Sequence, residues 1–384
     1  MPRRTRSRLR GSGFDLFSVA GIRLSVDYSW FVVFFLVTWS VHTWWFGPRL
    51  PASGPATVWG LSLAAAVLLF VSVLLHELSH SFVARAKGIP VQGITLFIFG
   101  GVSRLAHDPA RPMDEFLIAI AGPATSFAIS AVCLGALVPA LLAEADLLTA
   151  VLAYLCLVNF TIGLFNLVPA FPLDGGRVLR AILWNLKGSF TRATITAARV
   201  GKVLAFTLMS LGVLLVLATG NLAGLWWVVI GLFLVQAAGA SAERAHIREA
   251  LRGMPVHRIM SRPVMTVSPA QTLAQAVEDT FLHHQFVAYP VTDAGMVRGV
   301  LTLKDIKRYP REHWDRLRVG DCMILLQDTA TSSPDDDVVD VLERMLQTGC
   351  GRMLVLDRGV LVGMLTRRDI MHFLRLRMDL STPG

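Results

Sequence analysis

Six apolar stretches govern what this chain can become: 28–46, 57–82, 116–140, 147–169, 197–218 and 222–240. Each is near the roughly 20 residues a helix needs to cross the hydrocarbon of a bilayer. Water is absent there, so backbone N–H and C=O groups must be satisfied within a helix or a closed barrel. Long apolar runs without two-residue alternation select helices. The expected membrane part is therefore all-α, with six transmembrane helices. The chain as a whole is 54% hydrophobic and 16% charged, but the apolar excess is confined to about 30–239, and the last third reads as soluble sequence.

Charge sets the expected orientation. A net charge of +9 would suit a nucleic-acid binder, but the basic residues flank apolar segments and form no basic helix or aromatic-interleaved patch. The lipid bilayer is the expected partner, and nucleic acid is not. Lys and Arg gather in cytoplasmic loops. With the Arg-rich segment 1–26 in the cytosol, the inner loops hold Arg85 and Lys87, Arg104 and Arg111, then Arg177, Arg180, Lys187, Arg192 and Arg199. The outer loops hold "FGPRLPASGPAT", "LLAEAD" and "TGN", with Arg49 as their one basic residue. Residues 1–26 lack a compact apolar run with a small-residue cleavage site, so no cleaved signal peptide is expected. The reading is a multi-pass protein of the cell (plasma) membrane, its membrane domain spanning 27–245 and its last third cytosolic.

Between spans two and three, "GIPVQGITLFIFGGVSRLAHDPARP" carries β-branched and aromatic residues with Gly93, Gly100 and Gly101. It predicts short strands, as a re-entrant element or a plain surface hairpin.

The second span contains "HELSH". His76 and His80 are four residues apart, hence on one helix face, with Glu77 beside them. Ionisable groups in an apolar span are costly and are functional suspects by default. HExxH is the pattern in which two imidazoles bind zinc and the glutamate activates water. The competing reading is a pair of interhelical hydrogen-bonding histidines with an ion-paired glutamate. Zinc needs a third protein ligand, with the fourth position left open. Glu144 and Asp146 fall on the outer side, and Asp108, Asp114 and Glu115 sit in a polar, solvated setting. Asp174, in "GLFNLVPAFPLDGGR", matches the histidines in depth and lies in apolar surroundings. Pro169 and Pro172 break the helix there, and Gly175 and Gly176 allow unusual backbone conformations. Asp174 could equally be no more than the cap of a helix starting near Arg177.

Taken together, HELSH on an early span and "NLVPAFPLDGGR" on a later one resemble the site-2 protease family of intramembrane zinc metalloproteases (peptidase M50-like). "AGPATS" (Ala121 to Ser126) and "FGGV" (Phe99 to Val102) share the resemblance, which covers about residues 15–245. It implies one Zn2+ per chain held by His76, His80 and Asp174, with Glu77 as general base and proton shuttle. It also implies that Asn166 lies near the substrate, where an amide could steady the peptide or its oxyanion. The implied substrate is a single-span membrane protein, an anti-sigma factor in some bacterial members, cut within or near its transmembrane segment. A transmembrane helix hides its carbonyls, so a substrate must unwind. Pairing with an edge strand from 91–103 could then compensate its backbone, which makes Gly100 and Gly101 substrate-binding candidates.

From Val256 the chain repeats itself. Met260 aligns with Met323, Gly299 with Gly363 and Asp305 with Asp369, an offset of about 63–64 residues. Each copy alternates strand, helix, two strands and helix, and the two resemble a CBS-domain pair, at 256–311 and 319–376 after a linker at 246–255. The fold class is thus six transmembrane helices with a small β element, plus a cytosolic α/β pair. The resemblance implies an adenine nucleotide as a candidate ligand, with Thr302 and Asp305, and Thr366 and Asp369, meeting ribose and phosphate. Lys304, Arg367 and Arg368 could favour phosphates. The alternative is a homodimerisation module without ligand. "SSPDDDVV" reads as a helix N-cap with an acidic first turn. His283 and His284 read as a surface helix end. Cys133, Cys156, Cys322 and Cys350 form no CxxC pair and read as small buried hydrophobes.

A membrane metal transporter or channel gated by CBS domains is the rival class. It would be expected to show several ligand sites along a path and often inverted repeats. The membrane half has one clustered site and no visible repeat.

Overall fold

The computed structural model describes residues 13–97, 100–284 and 286–381. Contacts divide the chain between His246 and Ile247 into two compact units. Phe99 of the FGGV motif lies outside the described residues, as do residues 1–12.

The first unit opens with strands β1 (Gly13–Val19) and β2 (Ile22–Asp27), then helices α1 (Tyr28–Val41), the short α2 (Gly47–Arg49) and α3 (Pro55–Ala86). Strands β3 (Val91–Phe97) and β4 (Gly100–Leu105) follow. Next come α4 (Pro112–Leu142), α5 (Asp146–Asn166), α6 (Asp174–Lys187), α7 (Phe190–Thr219) and α8 (Ala223–Leu251). Six helical segments are long and apolar enough to cross a membrane: Tyr28–Arg49, α3, α4, α5, α7 and α8. Their outward faces carry large apolar side chains such as Phe35, Val132, Leu148, Leu214 and Trp226. Water would penalise so much exposed apolar surface, whereas lipid does not.

The sheet runs β1-β2-β3-β4, with β2 and β3 parallel and both outer pairs antiparallel. Residues 1–26 were expected to be a plain basic segment. Instead 13–27 form a hairpin, because Ile22, Leu24 and Val26 alternate with polar residues and pack with Ile94 and Leu96 against Leu78 of α3. The sheet is thereby seated on the part of α3 that carries HELSH. Strand β4 ends the order, so one of its edges is open among the described residues.

Span four ends at Asn166 and the chain turns through two prolines into α6. Gly175 and Gly176 were read as supplying unusual backbone conformations. They lie within the first turn of α6, and neither has a positive φ. What they supply is closeness: a Cβ on Gly175 would sit 2.2 Å from the Leu167 carbonyl oxygen, and one on Gly176 2.8 Å from the Ala170 carbonyl carbon.

The second unit holds a sheet ordered β5 (Ala288–Asp293), β6 (Met296–Thr302), β10 (Val360–Thr366), β9 (Arg352–Asp357), β8 (Thr331–Ser332), with β7 (Ile324–Leu325) against β6. Its helices are α9 (Leu273–Ala276), α10 (Leu303–Ile306), α11 (Val319–Cys322), α12 (Val338–Thr348) and α13 (Arg367–Ser381). The duplication is visible in the turns. β5–β6 and β9–β10 are both closed by two residues of positive φ, Ala294–Gly295 and Arg358–Gly359, the combination that matches strand twist in a two-residue hairpin. Each copy has its own core, one around Leu273, Tyr289 and Leu301, the other around Val338, Met353 and Leu365. Asp337 caps α12 by accepting from the Val339 N–H at 2.8 Å, and α8 continues through the expected linker as far as Leu251. The four cysteines are free.

Candidate metal centre

Helix α3 presents His76 and His80 on one face, both buried. Each ring is held by its Nδ1. His76 Nδ1 lies 2.9 Å from the Ser126 hydroxyl of α4, and His80 Nδ1 lies 2.6 Å from the Ile118 carbonyl oxygen. A carbonyl oxygen only accepts, so His80 carries a proton on Nδ1. In the neutral ring the Nε2 lone pair then faces away from the donor, as a metal ligand requires.

Asp174, the first residue of α6, brings Oδ2 to 3.2 Å from His76 Nε2 and 3.3 Å from His80 Nε2. Among the described residues this trio is the one group of three or more His, Cys, Asp or Glu side chains whose ligand atoms converge, all within 4.8 Å. Neutral rings with Nδ1 protonated would turn lone pairs towards a carboxylate, an arrangement relieved by a cation between them or by a proton on Nε2. The spacing also suits zinc. Bond lengths of about 2.0–2.1 Å in tetrahedral geometry put neighbouring ligand atoms roughly 3.3 Å apart. Donor type, tautomer and spacing therefore all fit one zinc ion with a fourth position left for another ligand.

Gly122 of α4 forms the wall beside the ligand atoms. A Cβ there would fall 2.2 Å from His80 Nε2 and 2.4 Å from His76 Nε2. Glu77 lies outside the converging trio. Its Oε2 accepts from the Ser103 hydroxyl of β4 at 3.0 Å, and Gly101 packs on its stem. Gly100 and Gly101 begin β4. Asn166 ends α5, half-buried, with its amide in no hydrogen bond among the described residues.

Glu115 departs from expectation. Read as solvated, it is fully buried. Arg180 of α6 donates to it through both Nε (2.9 Å) and Nη2, and Arg177 Nε lies 3.8 Å away. The Arg180 guanidinium also lies over the Phe190 ring at 4.6 Å. The pair ties α4, which carries Gly122 and Ser126, to α6, which carries Asp174. Two arginines three apart in "DGGRVLR" were the available signal that a buried anion was needed nearby. Ser126 and Gly122 lie in AGPATS, which the sequence flagged without assigning them contacts.

In the second unit the paired turns are built alike. The Thr302 hydroxyl caps α10, accepting from the Asp305 N–H at 3.2 Å and donating to the Asp305 carboxylate. Thr366 stands in the same relation to Asp369, with N and Oγ1 both 2.8 Å from Oδ2. Asp369 further accepts from Ser261 at 3.2 Å, a partner the sequence did not indicate. Arg367 is not free for phosphate: it donates to the Met345 and Cys350 carbonyls at 3.1 and 3.3 Å. Lys304 and Arg368 are exposed.

Comparison with known proteins agrees with this architecture. The family model described as peptidase family M50 matches residues 64–142 and 140–210, and the CBS domain model matches 256–312 and 319–376. The chain is 36% identical to "Putative zinc metalloprotease Rip3" of Mycobacterium tuberculosis over 92% of this chain and 90% of that protein. It is 31% identical to "Zinc metalloprotease MJ0392" of Methanocaldococcus jannaschii over 82% and 87%. Among solved structures, the site-2 protease from Methanocaldococcus jannaschii matches with 31% identity and a TM-score of 0.40, over 60% of this chain and 95% of that one.

The Glu115–Arg180 pair yields a test. Removing one partner of a buried ion pair costs about 3–5 kcal/mol, because the other charge is stranded. Arg180→Met should therefore lower the melting temperature of the purified chain and its zinc retention, since α6 loses its tie. Glu115→Leu combined with Arg180→Met should regain most of the melting temperature. A single variant that melts like the wild type would mean the pair holds nothing.

Proposed function

This chain belongs to peptidase family M50, as a multi-pass zinc metalloendopeptidase of the site-2 protease type with a CBS-domain pair, and on that premise we propose that it hydrolyses a peptide bond in or near a transmembrane segment of a membrane-protein substrate. The observation that carries the reading is the convergence of His76, His80 and Asp174 with Glu77 adjacent. In it, His76, His80 and Asp174 hold zinc, which when bound polarises the scissile carbonyl and makes water acidic enough to lose a proton near neutrality. Glu77 takes that proton as the water oxygen attacks the carbonyl carbon. It then delivers the proton to the amide nitrogen as the C–N bond breaks, so both products leave with balanced charge. Asn166, with its unengaged amide, donates to the substrate carbonyl. The open edge of β4, beginning at Gly100 and Gly101, pairs with the unwound substrate strand. The substrate is a single-span protein, with anti-sigma factors as one candidate class, and cleavage is a step of regulated intramembrane proteolysis.

Zinc analysis of the purified chain should give about one ion per chain. His76→Ala, His80→Ala and Asp174→Ala should each lose most of it. Glu77→Gln should keep zinc and lose cleavage of a single-span peptide in proteoliposomes, and a chelator should abolish wild-type cleavage. Full zinc and activity in Asp174→Ala would remove Asp174 from the ligand set.

In this reading the N-terminus and the CBS pair are cytosolic. Impermeant thiol labelling of single cysteines should mark positions next to Arg49 and Asp146 from outside, and positions next to Arg104, Lys187 and throughout 250–384 from inside only. Labelling beside Asp146 from the cytosolic face would overturn the threading.

The CBS pair binds an adenine nucleotide through Thr302, Asp305, Thr366 and Asp369, and thereby biases the protease. Couplings of this kind are typically about 1–3 kcal/mol. Calorimetry of the full chain with ATP, ADP and AMP should show binding that Asp305→Ala/Asp369→Ala removes. Heat-silent titration at millimolar nucleotide, with cleavage unchanged by the double variant, would leave homodimerisation as the role of the pair.

A further inference from the structure

Strand β4 touches Glu77 at two points. A Cβ on Gly101 would lie 2.4 Å from Glu77 Cγ, so the strand backbone rests directly on the side-chain stem. Two residues on, the Ser103 hydroxyl lies 3.0 Å from Glu77 Oε2. A third group completes the chain. Ser81, four residues after Glu77 and so on the same face of α3, is fully buried, with its hydroxyl 3.1 Å from that of Ser103.

We propose that Ser103 is a positioning residue for the general base, holding the Glu77 carboxylate through a Ser81–Ser103–Glu77 hydrogen-bond relay and tying it to the strand whose open edge takes the substrate. The proposal rests on the reading of Glu77 as the base.

Each hydroxyl has one proton to give. Ser103 has three acceptors within reach: the Glu77 carboxylate, the Ser81 oxygen, and the Glu77 carbonyl at 3.4 Å. An ionised carboxylate is the strongest acceptor of the three, so the Ser103 proton goes to Oε2. The buried Ser81 hydroxyl then donates to the Ser103 oxygen. Both protons run towards Glu77, and hydrogen bonds in such a series polarise one another. The result leaves Glu77 Oε1 without a hydrogen bond among the described residues, as the oxygen that must receive a proton requires. Fixing Cγ from one side and Oε2 from the other removes the rotation that would carry Oε1 away. Because β4 supplies both contacts, a peptide paired along its open edge and the base that acts on it share one strand.

The test uses the full chain in proteoliposomes, with a synthetic single-span peptide that the wild type cleaves. Ser103→Ala should lower kcat about 10–100-fold, the usual effect of removing an outer partner of a catalytic group, with KM and zinc content unchanged. Ser103→Thr keeps the hydroxyl on a residue that strands accommodate, and should restore kcat. An infrared readout is independent of cleavage. The carboxylate band that disappears in Glu77→Gln belongs to Glu77; it should shift in Ser103→Ala and return in Ser103→Thr. A Glu77 band unmoved in Ser103→Ala, or kcat equal to wild type in that variant, overturns the proposal. So does loss of zinc in Ser103→Ala, which would make the residue part of the scaffold. If the wild type cleaves no peptide, the proteolytic reading is what suffers, and the infrared band still decides the Ser103–Glu77 contact.

Discussion

A neutral histidine whose proton is held on one ring nitrogen offers a lone pair from the other. His80, pinned through Nδ1 to the Ile118 carbonyl, is in that position, and its Nε2 faces the Asp174 carboxylate. Acceptors do not pack against a carboxylate in a buried site unless a cation or a proton lies between them. Much of the membrane unit serves to keep that arrangement from relaxing. Ser126 orients the second ring, Gly122 removes the Cβ that would occupy the space beside both nitrogens, and the Glu115–Arg180 pair anchors the helix that begins with Asp174. None of these could relax independently: α4 supplies Ser126, Gly122, Ile118 and Glu115, so one helix sets the ring positions and receives the anchor of the helix that begins with Asp174.

The same economy governs the rest of the membrane unit. Several polar groups inside apolar spans meet a partner on the same or a neighbouring helix. Asn159 donates to Ser72 and to the Leu155 carbonyl, Ser130 to the Cys156 carbonyl, and Trp45 to the Ala150 carbonyl. The non-helical backbone follows the rule that irregular chain near a bilayer must be satisfied by protein. β3 is paired on both sides, and the sheet lies on Leu78, which stands in α3 between His76 and His80. Strands β1 and β4 are the exceptions, each ending the order with one edge unpaired among the described residues. An unpaired edge is a liability that proteins ordinarily cover, and β4 is the strand that touches Glu77.

Features set by composition and period were legible in the sequence. The six spans follow from apolar length, His76 and His80 from helical spacing, and the duplicated second unit from matched residues at a constant offset. The features missed depend on three-dimensional neighbours. Glu115 sits among charged and polar residues in sequence, and only the approach of α6 encloses it. The strand character of 13–27 was hidden because β1 is exposed along nearly all its length and β2 is short; their pairing is completed by β3, some seventy residues on. Gly175 and Gly176 were noticed for the wrong property, since a sequence cannot distinguish a glycine needed for its torsion angles from one needed for its missing Cβ. Ser103 carries no local signal, because its importance lies in what α3 sets opposite it.

The duplicated turns of the second unit show how two copies of one motif become different sites. Threonine and aspartate stand three apart in each, and each threonine caps the short first turn of the following helix. The surroundings differ. Asp369 has Oδ2 engaged by Thr366 and Oδ1 by Ser261, so both of its oxygens meet neutral hydroxyls. Asp305 is more deeply buried, and its Oδ1 faces the Arg308 guanidinium at 3.4 Å. A charged donor holds a carboxylate more strongly than a neutral hydroxyl does. Arg308 is itself largely exposed and can swing into solvent, whereas Ser261 is fixed by backbone pairing with Met364. The two carboxylates are therefore held in different ways, one by charge on a mobile side chain and the other by a hydroxyl on backbone bridged to Met364. The repeat copies the turn and its cap, and the neighbours of each aspartate are set by what packs against each copy.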